Sequence, residues 1–180
     1  GIASKTGRVS YNQAAEILKI ARQADIDTLD TAIAYGESES VLGNLGVNSW
    51  KVVSKLPAVP SKCNDVDQWV RSQLIASTEK LGVERLYGLL LHCPCQLFED
   101  FGYDLYSSLQ SLKTDNLVHK IGISVYGCSE IESIYERYVF DLVQAPLNII
   151  DRNLVNSGWA ERLKLSGVEV HIRSVFLQGL

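Results

Sequence analysis

Six short apolar runs, separated by stretches with helical spacing, constrain this chain more than any other feature. The runs are Ile26–Asp30, Lys51–Lys55, Tyr87–His92, His119–Ser124, Phe140–Gln144 and Val168–Ile172. They are short, rich in β-branched and aliphatic residues, and continuous rather than alternating in polarity. That pattern belongs to parallel strands buried on both faces, in βα units. Between them, Ser10–Ala24 opens on a capping box, with Gln13 three residues after Ser10, and carries Ala14, Ile17, Leu18 and Ala21 at helical spacing. Gly36–Gly46 reads as a loop and a short helix. Asp65–Leu81 is helical by its apolar set, with Gly82 where a C-cap glycine belongs. Leu105–Lys113, Ser129–Tyr138 (a second capping-box pattern, Ser129 with Glu132) and Trp159–Leu165 complete the helices.

Parallel βα units build either a barrel or a doubly wound sheet. A doubly wound nucleotide-binding sheet would carry a Gly-rich turn after an early strand, and no G-x-G-x-x-G occurs. The barrel is therefore favoured. A complete (β/α)8 TIM barrel takes about 250 residues, so 180 residues with six strands predict an incomplete barrel, one partial domain over residues 1–180. The net charge of −4 argues against a nucleic-acid or membrane-surface partner, both of which select clustered positive charge. No apolar run reaches the roughly 20 residues of a membrane helix, so a cytoplasmic location is expected. Four cysteines are too few for a disulfide framework and are expected to be reduced. The chain contains no Met, which suggests that Gly1 follows an excision or a cloning junction.

Barrel active sites are assembled at the C-terminal ends of the strands and in the loops that follow. Asp30 ends the first run and Tyr35 lies in its loop; Lys55 ends the second run and His92 the third. A Lys ammonium beside a Tyr hydroxyl favours the phenolate and would lower the Tyr pKa, making Tyr35 a proton donor near neutral pH. Asp30 would hold Lys55, and His92 would orient a carbonyl oxygen toward Tyr35. Together they make a carbonyl-polarising acid that needs a hydride from elsewhere.

The stretch Ile26–Glu39, containing Asp30-Thr31-Ala32 and Tyr35-Gly36-Glu37-Ser38-Glu39, with Leu42-Gly43 after it, resembles the signature of the aldo-keto reductase family. Val53-Ser54-Lys55, Leu90-Leu91-His92, Ile121-Gly122-Ile123-Ser124 and Val143-Gln144-Ala145-Pro146-Leu147-Asn148 are similar to later motifs of that family, in the same order. The resemblance implies a barrel that binds NADPH or NADH and reduces a small aldehyde or ketone. It implies Asp30, Tyr35, Lys55 and His92 as the catalytic tetrad, with Tyr35 the general acid. It places Ser124 and Gln144 at the nicotinamide carboxamide and Arg173 and Ser174 beside the cofactor, and implies no metal. The motifs are most similar to those of bacterial members.

The chain also departs from the family. Ser124-Val125 stands where a Ser-Asn pair is usual, removing one side-chain amide. Arg173-Ser174-Val175-Phe176 stands where Tyr-Ser-Pro-Leu is usual, so a guanidinium replaces the stacking ring. The family's first strand would precede Gly1 and its last would follow Leu180, so the barrel edges are expected to be open, inviting self-association, and cofactor affinity is expected to be weak. Other readings are a Schiff-base Lys55, a thiolate metal site at Cys93-Pro94-Cys95 beside His92, disfavoured by its spacing, and a non-catalytic barrel fragment or nucleotide-sensing module. Glu37 and Glu39, like Glu130 and Glu132, read as helix-start charges.

Overall fold

In the computed structural model of the chain, which describes residues 9–177, the six apolar runs form one all-parallel sheet. Its strands are β1 (Thr28–Asp30), β2 (Lys51–Leu56), β3 (Leu86–Leu91), β4 (Val118–Ser124), β5 (Leu142–Pro146) and β6 (Glu169–Arg173), lying side by side in sequence order. Helix α1 (Tyr11–Gln23) precedes β1. Helices α2 (Ser38–Asn44), α3 (Val66–Leu81), α4 (Gly102–Thr114) and α5 (Cys128–Tyr135) connect successive strands, and α6 (Asn153–Asn156) with α7 (Trp159–Leu165) joins β5 to β6. None of these helices is long and apolar enough to cross a membrane.

Local sequence sets most element ends. Ser10 caps α1 through a reciprocal pair with Gln13, Asp65 caps α3 by accepting from the Gln68 N–H at 2.9 Å, and Gly82 closes α3 at a φ of 65°, where a Cβ would be strained. The expected cap at Ser129 is displaced. Helix α5 starts at Cys128, and it is Glu130, not Glu132, that reaches back, its Oε1 accepting from the N–H groups of Tyr126 and Gly127 at 2.9 and 3.1 Å. The short helix α6 was not anticipated; its four residues show too little periodicity.

Side-chain contacts show that the sheet is curled. Strands in a flat sheet lie about 4.8 Å apart, which would put β1 and β5 about 19 Å from each other. Yet Gln144 on β5 donates through Nε2 to Asp30 Oδ1 on β1 at 2.7 Å, and Tyr87 on β3 donates to Glu169 on β6 at 2.7 Å. The sheet is thus the curved wall of an incomplete (β/α)8 barrel. Its outer face packs against the helices through Val52, Leu56, Leu89, Leu91, Ile121, Ile123 and Val143. Its inner face holds a small cluster of Val53, Leu90 and Leu142 flanked by Tyr87. Above this plug, at the C-terminal ends of the strands, lie the polar residues of the site.

At the other end of the interior Glu169 receives Lys120, Tyr87 and His171. Burial pushes its carboxyl up, but those hydrogen bonds outweigh burial and hold it at about 2, against an ordinary 4.5. A carboxylate with a depressed folded pKa stabilises the fold above its unfolded pKa and loses that contribution as pH falls through the folded value. Glu169→Gln is therefore expected to cost about 1–3 kcal/mol at pH 7 and progressively less as pH falls from about 4.5 towards 2, read as urea midpoints at pH 7 and pH 2. A pH-independent difference would refute this role.

Candidate active site

Lys55 is the anchor of the mouth. It points inward from β2 and is among the largest fully buried side chains, only 1% exposed. Burial at that depth requires every donor to be met. Its ammonium donates to Asp30 Oδ1 at 2.8 Å, Asp30 Oδ2 at 2.7 Å and the Thr31 carbonyl at 2.8 Å. Desolvation lowers its pKa, opposed by Asp30 and reinforced by Arg173. An ammonium clamped on three oxygens is not presented as an imine-forming nucleophile.

Tyr35 and His92 form the rim above it. Their rings meet edge to face with centroids 5.8 Å apart, and the Lys55 Nζ sits 5.3 Å from the Tyr35 ring centre. Tyr35 is 43% exposed. The sequence-based expectation of a lowered Tyr35 pKa is corrected here. Burial, then the negative charge of Asp30 and the neighbouring Tyr126, raise it, with only Arg173 pulling the other way. The reason is that the charge of Lys55 is already neutralised by Asp30. His92 is pushed down by burial, then by Lys55 and Arg173, against Asp30. At neutral pH the mouth therefore holds a protonated phenol and a neutral imidazole.

The residues expected at the cofactor lie on the adjacent strand ends. Ser124 ends β4, and its hydroxyl donates to Gln144 Oε1 at 3.1 Å; both are buried. Gln144 in turn donates to Asp30, which links β5 to the Lys55 clamp. Arg173 ends β6. Its Nη2 donates to the Val125 carbonyl at 2.8 Å, its guanidinium carbon lies 4.5 Å from the Tyr126 ring centre, and its Nε is buried without a partner. Ser174 follows with φ 62°, a left-handed backbone uncommon for a residue with a side chain. All eight sequence-selected residues thus stand at the C-terminal ends of strands or in the loops beyond them. Six are tied into one set of contacts, while Arg173 touches Val125 and Tyr126 in the loop after Ser124, and Ser174 joins only through the chain.

Two residues need a different account from the one the sequence suggested. Tyr126 was not singled out, yet it covers one face of Arg173 and influences Tyr35. Its position two residues after Ser124, in a loop beyond a strand, was the available signal. Glu39 was read as a helix-start charge and is instead 1% exposed, with Oε1 accepting from Ser54 and Ser77 at 2.7 Å each. It bolts α2 and α3 to β2 behind the Lys55 strand. Cys93 is half-buried and Cys95 exposed; among the described residues no three His, Cys, Asp or Glu converge as metal ligands. A cleft of about 650 Å³ lined by Trp50, Lys51, Tyr87 and His119 lies at the opposite end of the strands from these residues.

A curled parallel wall with buried Lys55 on Asp30, and Tyr35 with His92 above them, defines a class. The chain belongs to the aldo/keto reductase family, whose model matches residues 1–180. It is similar to the oxidoreductase sirO of Leptosphaeria maculans, 33% identical over 132 residues, which is 71% of this chain and 37% of that protein. The chain thus spans little more than a third of that curated relative. Among solved structures it resembles a Pseudomona aeruginosa protein assigned to the aldo-keto reductases, 23% identical, TM-score 0.77, covering 96% of this chain and 67% of that one. The holo form of an aldo-keto reductase from Bacillus halodurans is similar at 17% identity and TM-score 0.79, covering 96% of this chain and 60% of the other.

Proposed function

We propose that this mouth is a carbonyl-reducing site served by NADPH or NADH, acting on a small aldehyde or ketone. The observation that carries the reading is the convergence of Asp30, Tyr35, Lys55 and His92 at neighbouring strand ends of a barrel of this family. Residues 1–180 are read as one partial barrel domain. Ser124 and Gln144 fit a carboxamide, since they place a hydroxyl and an amide side by side at the rim. The bound nicotinamide would supply the hydride.

The chain's own residues do the rest. Neutral His92 can donate a hydrogen bond to the carbonyl oxygen and turn it toward Tyr35. The Tyr35 phenol, kept protonated by its raised pKa, gives its proton to that oxygen as charge develops there. Lys55, held by Asp30 with its Nζ 5.3 Å from the Tyr35 ring centre, forms the fixed floor under the phenol, and Gln144 braces Asp30 in turn.

The test is to titrate the chain with NADPH and with NADH, following tryptophan fluorescence from Trp50, Trp69 and Trp159, and to assay reduction of a generic aldehyde by the native chain and by Tyr35→Phe. Binding, with turnover that falls about 100-fold or more in the variant, is the expected result. Equal turnover in the two chains, or no cofactor binding up to about millimolar concentration, would overturn the proposal.

A further inference from the structure

We propose that Gln96 is a positioning residue: its side-chain amide ties the loop that follows His92 to the loop that follows Lys55, and so sets the His92 imidazole against Tyr35. That this setting serves reduction of a carbonyl rests on the reductase reading above; the setting itself rests on the geometry of the two loops.

The backbone does not hold these loops together unaided. Strands β2 and β3 pair in register as far as Leu56 with Leu91, and the His92 N–H continues the ladder by donating to the Leu56 carbonyl at 3.0 Å. In a parallel ladder alternate residues of a strand supply the N–H groups to one neighbour, so position 94 would donate next. It is Pro94, which has no N–H, and Pro57 and Pro60 remove two more donors from the facing loop. Pairing by the backbone stops at His92.

Gln96 takes over from there. Its Oε1 accepts from the Val59 N–H at 2.7 Å and its Nε2 donates to the Val59 carbonyl at 3.0 Å. One side chain thus satisfies both backbone groups of a residue that is only 4% exposed, groups that burial makes costly to leave unpaired. The tied positions each lie four residues beyond a residue of the mouth, Val59 beyond Lys55 and Gln96 beyond His92. A short closed ring results, fastened at one end by the His92–Leu56 bond and at the other by the amide. Behind it the 3-10 turn Pro94–Phe98 is seated by buried Pro94 and Leu97 and by the Tyr138 hydroxyl, which donates to the Leu97 carbonyl at 3.1 Å. Both β2 and β3 are interior to the sheet, so the ring draws on no sheet edge. With its backbone fixed on either side, the His92 ring is held where it meets Tyr35 edge to face.

The experiment compares the full chain with Gln96→Leu, which keeps the bulk and loses both hydrogen bonds, and with Gln96→Glu, which keeps one acceptor and at pH 7 sets its other oxygen against the Val59 carbonyl. Circular dichroism establishes which variants fold. Ring-proton NMR follows His92, with Tyr35→Leu showing how far the Tyr35 ring displaces its resonance and with His119 and His171 as references. In Gln96→Leu the His92 resonance is expected to lose most of that displacement, and its titration midpoint to rise, since burial is the first cause of its depression. Displacement of a reacting group by about 1 Å can cost about 100-fold, so kcat for a generic aldehyde is expected to fall about tenfold or more, with the cofactor KM unchanged. Gln96→Glu is expected to show the same changes to a smaller degree, and it decides the matter if Gln96→Leu does not fold. A folded variant in which His92 is unmoved, or in which all three histidines shift together as in a chain merely loosened, would overturn the positioning role. So would a displaced His92 with kcat unchanged, or the failure of both variants to fold. Absent turnover in the native chain, with the His92 displacement found as expected, would overturn the reductase reading alone.

Discussion

Gly122→Ala is expected to leave little or no folded protein, while Gly88→Ala, one strand away on the same curved sheet, is expected to be nearly silent. A methyl group built on Gly122 would stand 2.1 Å from the Leu142 carbonyl oxygen and 2.6 Å from Leu90 Cδ2. The first neighbour is backbone in the register that joins β4 to β5 and cannot swing aside. Relief would require the two strands to part by about an ångström, in the stretch that also positions Ser124 and Gln144. Overpacking of a core costs about 1–3 kcal/mol where side chains can adjust and more where they cannot. A loss above about 4 kcal/mol is expected, a large part of a marginal fold's stability. At Gly88 the nearest atom is a Val53 methyl at 3.4 Å, an ordinary contact, and the change should stay within about 1 kcal/mol. Urea unfolding followed by tryptophan fluorescence checks both. Equal midpoints for the two variants would show that β4 and β5 are not held together at Gly122 as described.

That contrast marks where sequence reasoning stops. Both glycines lie in apolar runs and look alike in the sequence; only the packing distinguishes them. The runs themselves were legible because a strand buried on both faces must be continuously apolar, and each of the six became a strand with ends moved by a residue or two. Asp30, Lys55 and His92 were legible because a strand end is a position that sequence can mark, and Tyr35 because its loop is short. The direction of the Tyr35 pKa was not legible. It depends on whether Lys55 spends its charge on Asp30 or on the phenol, and that is settled by a salt bridge between residues 25 apart in the chain. Glu39 was misread for a related reason: its burial comes from Ser54 and Ser77, which no local pattern brings beside it.

Lys55→Met is the substitution expected to disturb the candidate site most, and it does so through Asp30 and His92 together. Methionine fills a similar volume, so the cavity effect is small and the electrostatic effect is exposed. Removing one partner of a buried pair costs about 3–5 kcal/mol when the other partner is fully enclosed. The Asp30 side chain is 43% exposed and keeps Gln144 as a donor, so about 1–3 kcal/mol is the expected loss after solvent screening. The sharper consequence is at His92. Burial lowers its pKa, Lys55 lowers it further, and Asp30 raises it. With the ammonium gone, Asp30 acts on the imidazole uncompensated, and the His92 pKa must rise toward or above its ordinary 6.5. The chain has three histidines, so proton NMR titration can follow each one, with His119 and His171 as internal references. A protonated His92 no longer matches the neutral imidazole assigned to orient the carbonyl oxygen, and with the Lys55–Asp30 clamp gone from beneath Tyr35, carbonyl reduction should fall by about a thousandfold. If His92 titrates unchanged in Lys55→Met, the clamp does not govern the mouth, and the chemistry assigned to it must be carried by some other cation, of which Arg173 is the one in reach.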